Sequence, residues 1–130
     1  MITGRVPADE GRIWLKVKGP GRLVQEIEAV VDTGYTGTLT LPRSLVASIG
    51  LQWRSVDRGT LADGSECLFD VYEAEVIWDG TSRTILVDEA DTVPLMGMRL
   101  LRGNELKFQV RNRGKITIKR LPQGPENGKS

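Results

Sequence analysis

Hydrophobic and polar residues alternate along several short segments of this chain, which is the pattern of β-strands that bury one face. Leu106, Phe108 and Val110 alternate with polar residues, and Ile116 and Ile118 do so shortly after them. Turn-forming residues separate further apolar segments of similar length. The predicted strands are Ile13–Val17, Leu23–Val31, Gln52–Leu61, Glu66–Trp78, Ser82–Asp88, Glu105–Arg111 and Lys115–Arg120.

Glycine-containing turns lie between these segments. Glycine accounts for 15 of the 130 residues, about 11% against about 7% in average proteins. Such residues supply the backbone geometry that tight reversals need. Turn sequences occur at Gly19–Gly21, Ala62–Ser65, Asp79–Gly80 and Asn112–Gly114, and these positions are predicted to join strands into hairpins.

Two short helices are predicted between the strands. The segment Pro42–Ile49 begins with proline, carries its apolar side chains on one side and stops at Gly50. The segment Met98–Arg102 forms one helical turn that ends at Gly103. The pattern as a whole predicts an all-β domain with a small amount of helix.

Composition excludes several kinds of catalytic site. The chain has no histidine, so neither a Ser–His or Cys–His pair nor an imidazole metal cluster can form within it. The single cysteine, Cys67, cannot close an intrachain disulfide, and without a histidine partner it is interpreted as a partly buried apolar residue. Any hydrolytic activity must therefore use carboxylates, hydroxyls, Lys, Tyr, Cys67 or a metal held by oxygen ligands.

Charge and length bound the partners and the domain organisation. Eighteen basic and 17 acidic residues leave a net charge of +1, so no strong field attracts nucleic acid or anionic lipid. No apolar run approaches the roughly 20 residues of a membrane span, and the start lacks a secretory segment. We therefore expect a cytoplasmic protein with no nucleic-acid or membrane partner. One domain over residues 1–121 and a disordered polar tail over 122–130 are predicted.

One segment delivers an acidic residue into a tight turn. A hydrophobic strand ending in Ala-Val-Val leads to Asp32, followed by Thr33 and Gly34, and a second strand leads away. Glycine lets the backbone turn sharply and approach a substrate closely. Asp-Thr-Gly is also a common turn composition, and taken alone it favours a structural turn.

Two further elements follow this turn in a definite order. The first is a hairpin whose tip is Ala62, Asp63, Gly64 and Ser65. The second is a pair of apolar residues and a glycine before a short helical turn, namely Leu95, Met96 and Gly97. The order of the three elements is more specific than any one of them.

In this order of elements the chain resembles the retropepsin-like aspartic proteases, including their single-lobed prokaryotic relatives. The resemblance covers roughly Leu23 to Arg120 and implies a closed β-barrel of the acid protease fold, with one or two short helices. It also implies a catalytic Asp32 in a loop completed by Thr33 and Gly34. The other implied site residues are Ala62, Asp63, Gly64, Ser65 and Tyr35 in the flap and pocket, and Leu95, Met96 and Gly97 as support behind the loop.

The chain departs from the viral members of that family near the loop. Viral members usually carry a small residue after the Gly of the loop, where this chain has Tyr35. They commonly pair an arginine with an acidic residue at positions that are Met98 and Thr36 here. Both charged partners are absent together, which indicates a different subfamily.

The resemblance implies an aspartic endopeptidase that acts as a symmetric homodimer on peptides or unfolded proteins. Peptide hydrolysis needs one group that takes a proton from water and another that protonates the substrate, and two close carboxylates supply both. The chain has one Asp-Thr-Gly loop, so a second copy must supply the second Asp32. No metal and no cofactor are expected.

Other interpretations stay open at this point. A catalytically silent module on the same fold would bind extended peptides without cleaving them. An unrelated oligonucleotide-binding β-barrel would use the basic residues of the last hairpin, although a solvated face is the favoured interpretation. The tryptophans are interpreted mainly as core or barrel-edge residues, and Trp53 also as a candidate pocket residue. The acidic residues interpreted as solvated rather than metal-binding are Asp57, Asp63, Asp70, Asp79, Asp88, Glu89 and Asp91.

Overall fold

The computed structural model describes residues 1–123, and most of the predicted tail, residues 124–130, lies outside the described residues. Within residues 1–123 the chain forms ten strands, two α-helices (α1, Arg43–Ile49, and α2, Met98–Leu101) and a short 3₁₀ segment, Pro7–Asp9. The strands are β1 (Ile2–Val6), β2 (Arg12–Lys18), β3 (Val24–Val31), β4 (Leu39–Leu41), β5 (Gln52–Thr60), β6 (Glu66–Trp78), β7 (Thr81–Glu89), β8 (Leu95–Met96), β9 (Asn104–Phe108) and β10 (Gly114–Arg120).

The ten strands of this described part form one sheet. Their order is β5-β6-β7-β4-β8-β3-β2-β1-β10-β9, and β6 also pairs with β2. Pairing therefore passes from β2 through β3, β8, β4, β7 and β6 and back to β2. The pairs β3–β8 and β4–β7 are parallel and the other pairs are antiparallel. The predicted β-rich fold with few helices is confirmed, whereas full barrel closure stays a prediction.

The core lies on the apolar faces of the strands. In β2, Ile13, Leu15 and Val17 are buried while Trp14 is exposed, as period-two alternation requires. Burying an apolar side chain of this size contributes about 1.5–3 kcal/mol relative to leaving it exposed. Trp78 is also buried, but Trp14 and Trp53 are more than half exposed and contribute little to the core.

The helices begin and end close to the predicted residues. Helix α1 follows Pro42, and Gly50 ends it with a φ of +74°, a left-handed conformation that favours glycine. Gly103 lies two residues after the end of α2 and has a φ of +84°, again in the left-handed region. Among the helices of residues 1–123, none has the length and apolar character needed to span a bilayer.

Candidate active site

The loop that carries Asp32 connects β3 to β4, and the short strand β8 lies between these two strands. Strand β8 pairs in parallel with the end of β3, placing Met96 opposite Val31. It pairs antiparallel with β4, placing Met96 opposite Leu39 as well. The backbone of Asp32 continues this arrangement, because its N–H donates to the Met96 carbonyl oxygen at 2.9 Å. The structure thus places Leu95, Met96 and the following glycine directly behind the Asp32 loop.

The carboxylate of Asp32 is oriented by its own turn. Its Oδ1 accepts a hydrogen bond from the Gly34 N–H at 2.9 Å. The N–H of Tyr35 donates to the Asp32 carbonyl oxygen at 3.1 Å, which closes the turn. Asp32 is half-buried while Thr33 and Gly34 are exposed. The turn therefore holds a carboxylate in a defined orientation at the surface of the single chain.

The start of α2 is bonded to the same loop. Gly97 N–H donates to the Thr38 carbonyl oxygen at 2.9 Å, and the N–H of Arg99 donates to the Gly37 carbonyl oxygen at 3.0 Å. A Cβ on Gly97 would collide with the Gly37 carbonyl oxygen and would lie 2.6 Å from Cδ2 of Tyr35. Gly97 is therefore required by the close approach of the two segments.

Tyr35 reaches out of the loop to a carboxylate on β7. Its hydroxyl donates to Asp88 Oδ2 at 2.7 Å. Burial raises the pKa of Tyr35 above its ordinary value. Burial also raises the pKa of Asp88, the Tyr35 hydrogen bond opposes that rise, and the nearby Asp57 charge adds to it. The interpretation of Asp70, Asp88 and Glu89 as solvated residues is wrong, because all three are half-buried.

The raised pKa of Asp88 makes stability depend on pH. Folding favours the protonated carboxyl, so its contribution is fully present below the ordinary pKa of 3.8 and is lost as pH rises through the higher folded-state pKa. We expect Asp88→Asn to remove this loss. Urea unfolding from acidic to neutral pH should show a smaller decline for the variant than for wild type. An Asp91→Asn control, at an exposed residue, should keep the wild-type slope, and equal slopes for all three proteins would contradict the assignment.

Strands β5 and β6 form the long hairpin predicted as a flap. At its tip, Asp63 Oδ1 accepts hydrogen bonds from the Ser65 N–H at 2.8 Å and the Ser65 hydroxyl at 2.6 Å. These bonds hold the pKa of Asp63 below its ordinary value. Gly64 has a φ of +86°, and Ala62 lies beside it on an exposed tip. The tip is thus a turn stabilised by its own side chains.

A cleft of about 640 Å³ lies between the Asp32 loop and the flap strands. The loop supplies Gly34, Tyr35 and Thr36 to it, and the sheet supplies Cys67 and Asp88, among others. In residues 1–123, neither the Asp32 side chain nor the four tip residues of the flap belong to the lining. The cleft therefore joins the loop to the flap strands rather than to the flap tip.

Several other predicted residues have different surroundings. Trp53 does not line the cleft within the described part, and its indole N–H donates to Asp70 Oδ1 at 3.0 Å. Cys67 is half-buried, as interpreted from the sequence. Within residues 1–123, no three His, Cys, Asp or Glu side chains are grouped so that they could hold a metal ion.

Two contacts of the site have no signal in the sequence pattern. Asp88 is the last residue of a predicted strand, and nothing local links it to Tyr35, 53 positions away. Gly37 has no predicted role, yet a Cβ there would lie 2.5 Å from the Tyr35 hydroxyl oxygen. Both contacts follow from the folded position of the Tyr35 ring.

Two solved structures are similar to this one. EIAV protease, complexed with the inhibitor HBY-793, is 14% identical with a TM-score of 0.54, over 73% of this chain and 88% of that one. A retropepsin-like aspartic protease from Rickettsia conorii is 17% identical with a TM-score of 0.54, over 93% of this chain and 91% of that one. No protein-family model and no curated protein matches the sequence. The chain therefore has the retropepsin-like fold.

Proposed function

We propose that this chain is an aspartic endopeptidase that works as a symmetric homodimer. The observation that carries the proposal is the position of Asp32. Its carboxylate is held by the Gly34 N–H at 2.9 Å at the end of β3, and its backbone is held by Met96. The fold around it is the one found in EIAV protease and in a solved retropepsin-like aspartic protease.

One carboxylate is insufficient for peptide hydrolysis. When two carboxylates lie close together they do not both ionise, so the pair contains one acid and one base at the same pH. The ionised member takes a proton from water as the water oxygen attacks the peptide carbonyl carbon, and the protonated member gives its proton to the carbonyl oxygen. Collapse of the resulting intermediate breaks the C–N bond, with a proton transferred to the leaving amine.

The second carboxylate must come from another copy of the chain. The sequence contains one Asp-Thr-Gly, at Asp32 to Gly34. Thr33 and Gly34 are exposed on the single chain, so they are accessible to the same loop of a partner. A two-fold axis beside the loop brings the two Asp32 side chains together, because such an axis pairs each surface residue with its own copy.

The substrate is proposed to be an extended peptide or an unfolded protein. An extended segment can add to the edge of the β5–β6 flap by main-chain hydrogen bonds. The flap presents apolar side chains to solvent, among them Val56, Leu61 and Leu68, which are 53%, 50% and 68% exposed. A bound peptide would shield such side chains. In this proposal Ala62–Ser65 contact the substrate backbone and Tyr35 contributes to the pocket wall.

The decisive experiment combines mass with cleavage. We expect sedimentation to give a dimer, and we expect a denatured protein to be cleaved at acidic or neutral pH. A pepstatin-like inhibitor should block cleavage, while a metal chelator should leave it unchanged. A dimer that binds peptides without cleaving them at any pH would instead indicate a silent binding module. A monomer that neither binds nor cleaves would overturn both functions.

A further inference from the structure

Tyr35 is bonded to three separate parts of the fold. Its N–H donates to the Asp32 carbonyl oxygen at 3.1 Å, and its own carbonyl oxygen accepts from the Met98 N–H at 2.8 Å. Its hydroxyl donates to Asp88 Oδ2 at 2.7 Å. One residue therefore connects the turn that orients Asp32, the start of α2 and strand β7.

The ring of Tyr35 occupies space that two glycines leave open. A Cβ on Gly37 would lie 2.6 Å from Cε1 and Cζ of the ring, and a Cβ on Gly97 would lie 2.6 Å from Cδ2. Real Cβ atoms essentially never approach other atoms this closely. Because Gly37 and Gly97 lie against the ring, the ring has little freedom to move. The hydrogen bond at its hydroxyl therefore also restrains the backbone of residue 35.

Asp88, which accepts the hydrogen bond from the Tyr35 hydroxyl, also depends on this bond. Asp88 is half-buried, and a buried carboxylate that loses a donor keeps its full desolvation penalty. The charged groups near Asp88 are Asp57 on β5, which opposes its ionisation, and Arg99 on α2, which favours it. The Tyr35 hydroxyl therefore supplies a directional hydrogen bond where the surrounding charges have opposing effects.

We infer that Tyr35 and Asp88 form a positioning pair for the Asp32 loop. The hydroxyl–carboxylate bond fixes the ring, the ring fixes the backbone of residue 35, and that backbone closes the turn that orients the Asp32 carboxylate. The inference rests on the proposed function for its effect on catalysis. It extends the predicted pocket role of Tyr35, because the hydroxyl is directed to the protein's own sheet.

Tyr35→Phe tests the bond while keeping the ring. We expect kcat to fall about tenfold with KM changed less than about twofold, since small errors in placing a reacting group lower the rate of the chemical step. The matched control is Tyr72→Phe, because Tyr72 on β6 is the only other tyrosine of the chain and lies outside the cleft lining. The control should keep wild-type kcat. Thermal unfolding of each variant should confirm that it is folded at the assay temperature.

Variants of Asp88 supply the conservative rescue. Asp88→Asn keeps an oxygen that accepts from Tyr35 and should retain kcat within about threefold, whereas Asp88→Leu should lower it as much as Tyr35→Phe. The double variant Tyr35→Phe/Asp88→Leu should be no slower than either single variant, since both remove the same bond. Independent losses that multiply in the double variant would overturn the pair.

A second readout does not need activity. In Tyr35→Phe, hydrogen exchange of the residue 35 amide should accelerate about tenfold or more, while amides of β2 stay at the wild-type rate. If Tyr35→Phe changes neither the exchange rate of the residue 35 amide nor kcat, the inference is overturned. If Asp32→Asn is inactive in the same experiments, the proposed function survives. If the wild-type protein has no activity but Tyr35→Phe still accelerates exchange of the residue 35 amide, the structural pair is supported. The proposed function and the catalytic role of the pair are then refuted.

Discussion

Replacing Asp32 by asparagine is expected to abolish peptide cleavage and to leave the fold and the dimer intact. The amide cannot exchange a proton with water or substrate, so the pair loses its acid–base function, and the rate should fall about 10³-fold or more. Its oxygen can still accept the Gly34 N–H that now binds Oδ1 at 2.9 Å. The turn should therefore keep its shape, as sedimentation and circular dichroism would show.

Controls separate this loss from a general effect of charge. Asp91→Asn removes a carboxyl group at an exposed residue and should keep wild-type activity. Mixing wild type with an excess of Asp32→Asn protein should inhibit cleavage, since mixed dimers contain only one Asp32. Activity that persists in Asp32→Asn, or that is insensitive to mixing, would refute the shared carboxylate pair.

Replacing Gly97 by alanine is expected to destabilise the protein by about 3 kcal/mol, because overpacking at a fixed backbone contact costs this order of energy. Gly97 has a φ of −101°, which alanine adopts readily, so conformation is not the cause. The cause is space, since its Cβ would collide with the Gly37 carbonyl oxygen and the Tyr35 ring. Movement of that contact would also shift the Asp32 loop, so we expect activity to fall as well.

Gly21→Ala is the matched control for this prediction. Within residues 1–123, a Cβ on Gly21 meets no atom within 4 Å outside its two chain neighbours, so its substitution should change the free energy of unfolding by less than about 0.5 kcal/mol. Urea unfolding of both variants measures the difference directly. Equal stability of the two variants would show that the loop and α2 separate at little cost and that Gly97 is not restricted by packing.

Local signals were sufficient for most of the fold. The predicted strand 66–78 has the same bounds as β6, and helix α1 begins one residue after its predicted start at Pro42. Such elements depend on alternation, proline and glycine within a few residues. The Asp-Thr-Gly turn and the flap hairpin could be predicted for the same reason, since each is specified by adjacent residues.

Strand β1 could not be predicted from the sequence pattern because a glycine interrupts its apolar face. Gly4 is half-buried among Ile13 and Ile116, where a Cβ would lie within 3.0 Å of their side chains. The apolar alternation of Ile2–Val6 is therefore incomplete in the sequence. Conversely, β9 ends at Phe108 although alternation continues to Val110, which is 63% exposed. In both places tertiary contacts override the local pattern.

The hydrogen bond between Tyr35 and Asp88 cannot be predicted from local sequence patterns. It depends on the parallel pairing of β4 with β7, which sets Leu41 opposite Glu89 and brings the end of β7 beside the Asp32 loop. Sequence alternation shows that a strand exists and which face it buries. It does not identify the strand beside it, so contacts between distant segments emerge only in the folded structure.

The pairing of β1 with β10 has a consequence for protein synthesis. Ile2 lies opposite Ile118, and the backbone of Asp32 is bonded to Met96 in the short strand β8. A ribosome therefore synthesises the Asp32 loop long before β8, which carries Met96, and long before β10. Domains dominated by such distant pairings fold in about milliseconds to seconds rather than microseconds. The proposed cleavage activity would then begin only after β10 has been synthesised, so a shorter nascent chain is protected from its own chemistry.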